Sequence, residues 1–117
     1  MKVLIVLVFS LIVGSCRPQS CKNLPATFTS YSEAIGAVKN ATFKVKESAG
    51  TFQSSWITSA YFYSCDGETG YFVYSTVQGH TYIHNDLPLS LWRGFKSASS
   101  KGGYYNRYIK GRYRLQL

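Results

Sequence analysis

Tyr71-Phe72-Val73-Tyr74-Ser75-Thr76-Val77-Gln78-Gly79-His80-Thr81-Tyr82-Ile83-His84 holds two runs of β-forming residues around a short turn. Tyr71, Val73, Ser75 and Val77 fall on one face of a strand, and Phe72, Tyr74 and Thr76 on the other, as a period of two requires. Gln78-Gly79-His80 is too short for a crossover, so the strands on either side of it run antiparallel. Working backward, Cys65 to Gly70 carries Asp and two glycines, which is turn chemistry. Before it, Trp56 to Ser64 is another β-rich run. Three adjacent strands therefore form a meander: 56–64, 71–77 and 81–84.

Working forward, Asp86 offers a helix N-cap and Pro88 stands near the first helical position, where its missing N–H is tolerated. Leu91, Trp92, Phe95 and Ala98 then make one apolar helical stripe. Ser99 to Gly103 is read as ending that helix, and Tyr104 to Tyr113 as a last helical piece with Tyr105, Tyr108 and Ile109 on one side. Upstream, Ser30-x-x-Glu33 has the capping-box pattern, and Ala34, Ile35 and Val38 follow at helical spacing, so residues 31–40 are expected to be helical. Thr42 to Lys46 alternates as a short strand or extended arm, and Ser48 to Ser54 reads as a loop. The expected architecture is α+β: a small three-stranded antiparallel meander packed by C-terminal helices, preceded by a short helix and an extended arm. Residues 1–15 read as a signal peptide, 16–53 as a lipidated tether with a short helical attachment, and 54–117 as the main domain.

The N-terminal reading rests on Met1-Lys2, a positive start, followed by about eleven almost unbroken apolar residues from Val3 to Val13. A bilayer-spanning helix needs about 20 residues, so this run fits a leader rather than a span. Val13-Gly14-Ser15-Cys16 resembles a bacterial lipobox: an aliphatic residue, two small residues at the cut, and a cysteine whose sulfur accepts diacylglycerol. The expectation is a lipid anchor on Cys16 and a place in the cell envelope, periplasmic or surface-exposed. A plain secretory leader that leaves Cys16 as an ordinary thiol is the competing reading, and a retained membrane helix is the third. Each buried CH2 of an acyl chain contributes roughly 0.8 kcal/mol, so several chains on one cysteine hold firmly. Export also leaves Cys21 and Cys65 as an even pair, which fits a disulfide in an oxidising compartment; two free thiols are the alternative.

The formal charge is +8, one less once Lys2 leaves with the leader. No acidic residue follows Asp86, while Arg93, Lys96, Lys101, Arg107, Lys110, Arg112 and Arg114 all do. Within Tyr104 to Arg114 the basic groups interleave with aromatic rings, so Arg107, Lys110, Arg112, Arg114 and Tyr104 are the candidate ligand-binding residues. Such a segment can pair phosphates and stack bases, or meet acidic glycans and lipid headgroups. Equally, Tyr105, Ile109 and Tyr113 can complete a core while the charges are merely solvated.

The ordered features from Ser54 to Leu115 resemble the KTSC domain, named for a segment at the C-terminus of some lysyl-tRNA synthetases and found also in small standalone proteins. The resemblance is carried by Ser54-Ser55 before the first aromatic strand, the turn at Gly79, and Tyr82-Ile83-His84 where the family shows Tyr-x-Tyr. It continues through Leu87-Pro88 before a helix bearing Trp92, Phe95 and Ala98, then Ser99, Gly102, Tyr105-Asn106, Ile109, Arg112 and Tyr113. His84 departs from the second tyrosine of that pattern. The resemblance implies the fold, no established activity, and a suggestion of RNA binding.

Enzymatic chemistry finds little support. His80 and His84 lie about 13 Å apart on an extended strand, against metal–nitrogen bonds near 2.1 Å, so no metal is expected. Asp86 reads as a cap rather than an acid beside His84. Cys65 has no acidic orienter or oxyanion motif near it in sequence. Five acidic residues in the whole chain leave little for paired-carboxylate hydrolysis. No catalytic residue and no cofactor are assigned. The first functional reading is a membrane-anchored, non-enzymatic binding module whose partner is an envelope protein or an anionic polymer. A nucleic-acid-binding module is the alternative, disfavoured by export, and a small envelope enzyme is third.

Overall fold

The computed structural model describes residues 19–49 and 56–117; the leader, Cys16 and Ser54-Ser55 lie outside them. The described chain is α+β, built on four antiparallel strands in the order β1 (Val45–Ser48), β2 (Ile57–Ser64), β3 (Thr69–Thr76) and β4 (Thr81–Pro88). The expected meander is present as β2–β4, with Tyr74 opposite Tyr82 and Phe72 opposite His84. The three-strand expectation is corrected by β1. The arm that alternates from Thr42 pairs with β2, Val45 opposite Ser64 and Ser48 opposite Tyr61. Its backbone groups thereby find partners that an isolated arm would leave to water.

Helix α1 (Tyr31–Asn40) begins where the capping box predicts, the Ser30 hydroxyl accepting from the Glu33 N–H at 3.1 Å. The reciprocal half differs: the Glu33 carboxylate accepts from the Thr29 hydroxyl. Ala34 and Val38 are buried, packing with Phe28, Tyr63, Val73, Ile83 and Leu115 on one face of the sheet. On the opposite face, Phe62, Phe72 and Tyr74 meet Trp92 and Phe95 of α2 (Leu89–Ser97), together with Tyr105 and Ile109. Consecutive apolar residues Phe72-Val73-Tyr74 are thus explained by a sheet covered on both faces.

The start of α2 corrects the capping assignment. Pro88, not Asp86, is its N-cap, and no side chain caps it. Asp86 instead lies inside β4 at φ +61°, where the β3–β4 register shifts between Gly70 and Phe72. Left-handed backbone is tolerated best by Gly, Asn and Asp, and a strand uses it to make a bulge. Gly70, opposite Leu87, is required by close approach: a Cβ there would run into the backbone carbonyl of Tyr63. The segment Ser99–Gly103 likewise does more than stop a helix. Ser100 caps a new turn, α3 (Lys101–Tyr104), accepting from the Gly103 N–H at 3.1 Å.

Lys101 leaves the set of surface cations. It is 7 % exposed, and its Nζ donates to the carbonyls of Lys96 and Ala98, each at 2.9 Å. A cation there suits the end of α2, where unpaired carbonyls concentrate negative potential. Cys21 and Cys65 form a disulfide, their Cα atoms 5.8 Å apart. It fastens the 3-10 turn Cys21–Asn23 to the β2–β3 hairpin.

Candidate functional site

The C-terminal residues build the site by returning to the free edge of β4. After α3 the chain widens into a π turn, Tyr105–Ile109, closed by the Lys110 N–H donating to the Tyr105 carbonyl at 2.9 Å. The wide turn points Tyr105 and Ile109 inward together. Gly111, at φ +76°, reverses the chain. Arg114 then bridges to His84 in antiparallel fashion, Leu115 is buried, and the Gln116 carbonyl accepts from the Phe28 N–H at 3.1 Å. The result is a groove of about 560 Å³ between β4 and the returning segment, open to Tyr31 of α1.

Its floor is a hydrogen-bonded row. The Tyr74 hydroxyl donates to the Tyr105 hydroxyl at 2.9 Å, which lies 3.0 Å from His84 Nε2. His84 Nδ1 is 2.8 Å from the Tyr113 carbonyl. A carbonyl only accepts, so Nδ1 carries the ring hydrogen, and the bare Nε2 of the neutral ring accepts from Tyr105. Burial holds the His84 pKa below its ordinary value, with the Tyr113 carbonyl partly opposing. Burial pushes the Tyr74 and Tyr105 hydroxyls upward. The row is therefore neutral, and every proton in it has a direction. His84 thus locks the returning segment to the sheet.

The walls are aromatic and the rim is cationic. Tyr82 is 45 % exposed and lies beside Tyr74, with ring centroids 5.3 Å apart and planes 27° off parallel. Tyr31 is 51 % exposed. Among the described residues, Lys110 and Arg114 line the groove and no acidic side chain does. Among the expected ligand-binding residues, the structure brings these two together. Arg107 and Arg112 are exposed but do not line the groove; Arg107 lies over the Tyr108 ring. Tyr104 faces α2, its hydroxyl donating to the Leu91 carbonyl at 3.0 Å. Tyr31, Tyr82, His84 and Tyr105 were not marked as site residues by the sequence. Tyr82 and His84 carry a signal, because both share the Tyr74 face of the sheet; Tyr31 carries none. Among the described residues no cluster of three potential metal ligands occurs.

Comparison with protein families matches residues 70–113 to the KTSC domain. Among solved structures, a KTSC domain protein from Yersinia pestis is similar at 25 % identity, with a TM-score of 0.50, over 59 % of this chain and 92 % of that one. Comparison with curated proteins found no match. The matched segment contains β3 from its second residue, β4, α2, α3 and the π turn, hence the Tyr74–Tyr105–His84 row and Lys110; Tyr31 and Arg114 lie outside it.

Proposed function

With residues 70–113 matched to the KTSC domain, we propose that the protein is an envelope-anchored, non-enzymatic binding module that holds an anionic polymer in the groove beside β4. The observation that carries this reading is the pairing of exposed Tyr31 and Tyr82 with Lys110 and Arg114 in a groove that no acid among the described residues lines. Aromatic rings give a ligand apolar area, and two neighbouring cations attract negative charge. The floor, whose Tyr74, Tyr105 and His84 groups bond one another, gives such a groove a fixed surface.

Charge placement makes the reading testable. Lys110→Gln with Arg114→Gln should weaken binding to a polyanion roughly 30-fold at low salt, taking about 1 kcal/mol per basic residue near an anionic surface. Arg107→Gln with Arg112→Gln should weaken it less than threefold, and high salt should erase the difference. Titration of polyglucuronate into each variant by calorimetry checks this; equal losses from both pairs would mean a diffuse charged face and no groove. Single-stranded nucleic acid is the second reading, favoured by the exposed Tyr82 ring on the sheet surface, where a base could stack. Competition between polyglucuronate and oligothymidylate ranks the two.

The anchor in this reading is Cys16. Among the described residues no helix is long and apolar enough to cross a membrane. Cys16→Ala is expected to shift the protein from the membrane fraction to the soluble one, or to leave the leader uncleaved. Normal cleavage with unchanged membrane retention would remove the lipid from the proposal.

A further inference from the structure

The groove does not stop at Tyr82. A second hollow of about 310 Å³ opens beyond it, and Tyr74, Tyr82, Tyr105 and Lys110 line both. Sharing these four lining residues, the two hollows adjoin and are compartments of one trough, with Tyr82 and Lys110 among the residues common to both. Their chemistry differs. Arg114 and His84 line the first alone. The second is faced by Thr76, Gln78 and Asn106, which are neutral donors and acceptors, with Trp56 and Val77 supplying apolar surface. Lys110, on the shared wall, is the cation among its lining residues.

Resting on the anion-binding reading above, we infer that the trough takes a linear acidic polysaccharide, seating an acid-bearing sugar in the first compartment and a neutral sugar in the second. Pockets that hold one small ligand run from about 300 to 1,000 Å³, so each compartment has room for a ring of its own. A ligand that fills both is at least two units long. Sugar rings present an apolar C–H face and a belt of hydroxyl groups. The face suits Tyr82, which offers a flat, half-exposed ring at the junction. The hydroxyl belt suits Gln78 and Asn106, whose side-chain amides both donate and accept. Charge distribution separates this ligand from a nucleic acid. A nucleic acid strand carries a phosphate at every nucleotide and is usually tracked by cations along its whole path. Here the cations gather in one compartment and on its shared wall, matching a chain in which acidic and neutral units alternate.

The experiment measures binding of the full chain, in detergent, to glucuronate, a hyaluronan octasaccharide, a neutral chitin tetrasaccharide and an eight-nucleotide oligothymidylate. The octasaccharide is expected to bind at least tenfold more tightly than glucuronate or the neutral oligomer. Gln78→Ala with Asn106→Ala, both exposed positions that line the second compartment and not the first, should weaken the octasaccharide at least fivefold while circular dichroism and glucuronate binding stay unchanged. Equal affinity for glucuronate and octasaccharide, or an octasaccharide indifferent to Gln78 and Asn106, would overturn the two-compartment assignment and leave anion binding intact. Tighter binding of oligothymidylate than of the octasaccharide would give the trough to nucleic acid. Failure of every anion to bind the unmodified chain would overturn both this assignment and the reading it rests on.

Discussion

Trp92→Ala is expected to lower the stability of the fold by about 3–5 kcal/mol, the usual range for truncating a large buried aromatic ring. Trp92 is 0 % exposed. It stacks on Phe62 at 5.5 Å between centroids and on Phe95 at 5.9 Å, and meets the edge of Phe72 at 5.9 Å. These partners stand on β2, β3 and α2, so the hole left by alanine is bounded by rigid elements and collapses poorly. The indole does a second thing. Its Nε1–H donates to Glu47 at 2.9 Å, and Lys96 meets the same carboxylate oxygen at 3.1 Å. The Trp92 N–H, and then Lys96, hold the Glu47 carboxyl below its ordinary pKa. Glu47 belongs to β1, so this contact fastens the edge strand to α2. Trp92→Phe separates the two effects: much of the packing stays and the hydrogen bond goes. Since Glu47 remains open to water, losing that bond should cost about 1 kcal/mol, the lesser part. Urea unfolding reads both. A drop below about 1 kcal/mol for the alanine variant would contradict the packing of α2 against the sheet.

What could be read from sequence follows the range of the interactions. Tyr71–Thr76 announces itself because its alternation is local, and the turn at Gly79 fixes its partner within a few residues. Trp92 and Phe95 announce the buried face of α2 the same way. β1 was ambiguous because alternation over Thr42–Lys46 suits both an exposed arm and an edge strand. Its partner in β2 lies across a loop, and only pairing decides between them. Asp86 misled because Asp before Pro is good cap chemistry, while its use here, left-handed backbone in a bulge, depends on the register with Gly70. The π turn has no simple sequence signature, so Lys110 and Arg114 could be recognised as exposed cations but not as the pair that shares a groove. The groove itself is assembled from residues 31, 82, 110 and 114. No pattern along the chain announces a site whose parts meet only after the sheet is covered on both faces.

Loss of the Cys21–Cys65 disulfide carries the second large effect. The bridge joins residues 44 apart in sequence, and the loop-closure entropy removed from the unfolded chain corresponds to about 4 kcal/mol. For a domain of this size that is roughly 16–32 °C in Tm. The native side of the balance agrees in direction, because residues 19–23 have few other holds. The Cys21 N–H donates to the Thr42 carbonyl at 3.0 Å and the Thr42 N–H to the Gln19 carbonyl at 2.9 Å, a single short bridge. Cys65 itself sits at the mouth of a well-tied turn. The buried Ser64 hydroxyl donates to the Thr69 carbonyl at 2.6 Å, and Asp66 accepts from the Glu68 and Thr69 N–H groups. Those backbone donors also lower the Asp66 pKa. The hairpin should therefore keep its shape in Cys21→Ser/Cys65→Ser, while the segment before α1 comes loose. No residue from 19–23 or 64–69 lines the trough, so polyanion binding at 20 °C should persist in the variant. Thermal unfolding with and without dithiothreitol tests this: reductant should lower the Tm of the unmodified chain to that of the variant and leave the variant unchanged. A reductant-insensitive Tm in the unmodified chain would mean that the pair is not bridged in solution. A variant that stays folded but no longer binds would mean that the tether reaches the groove after all.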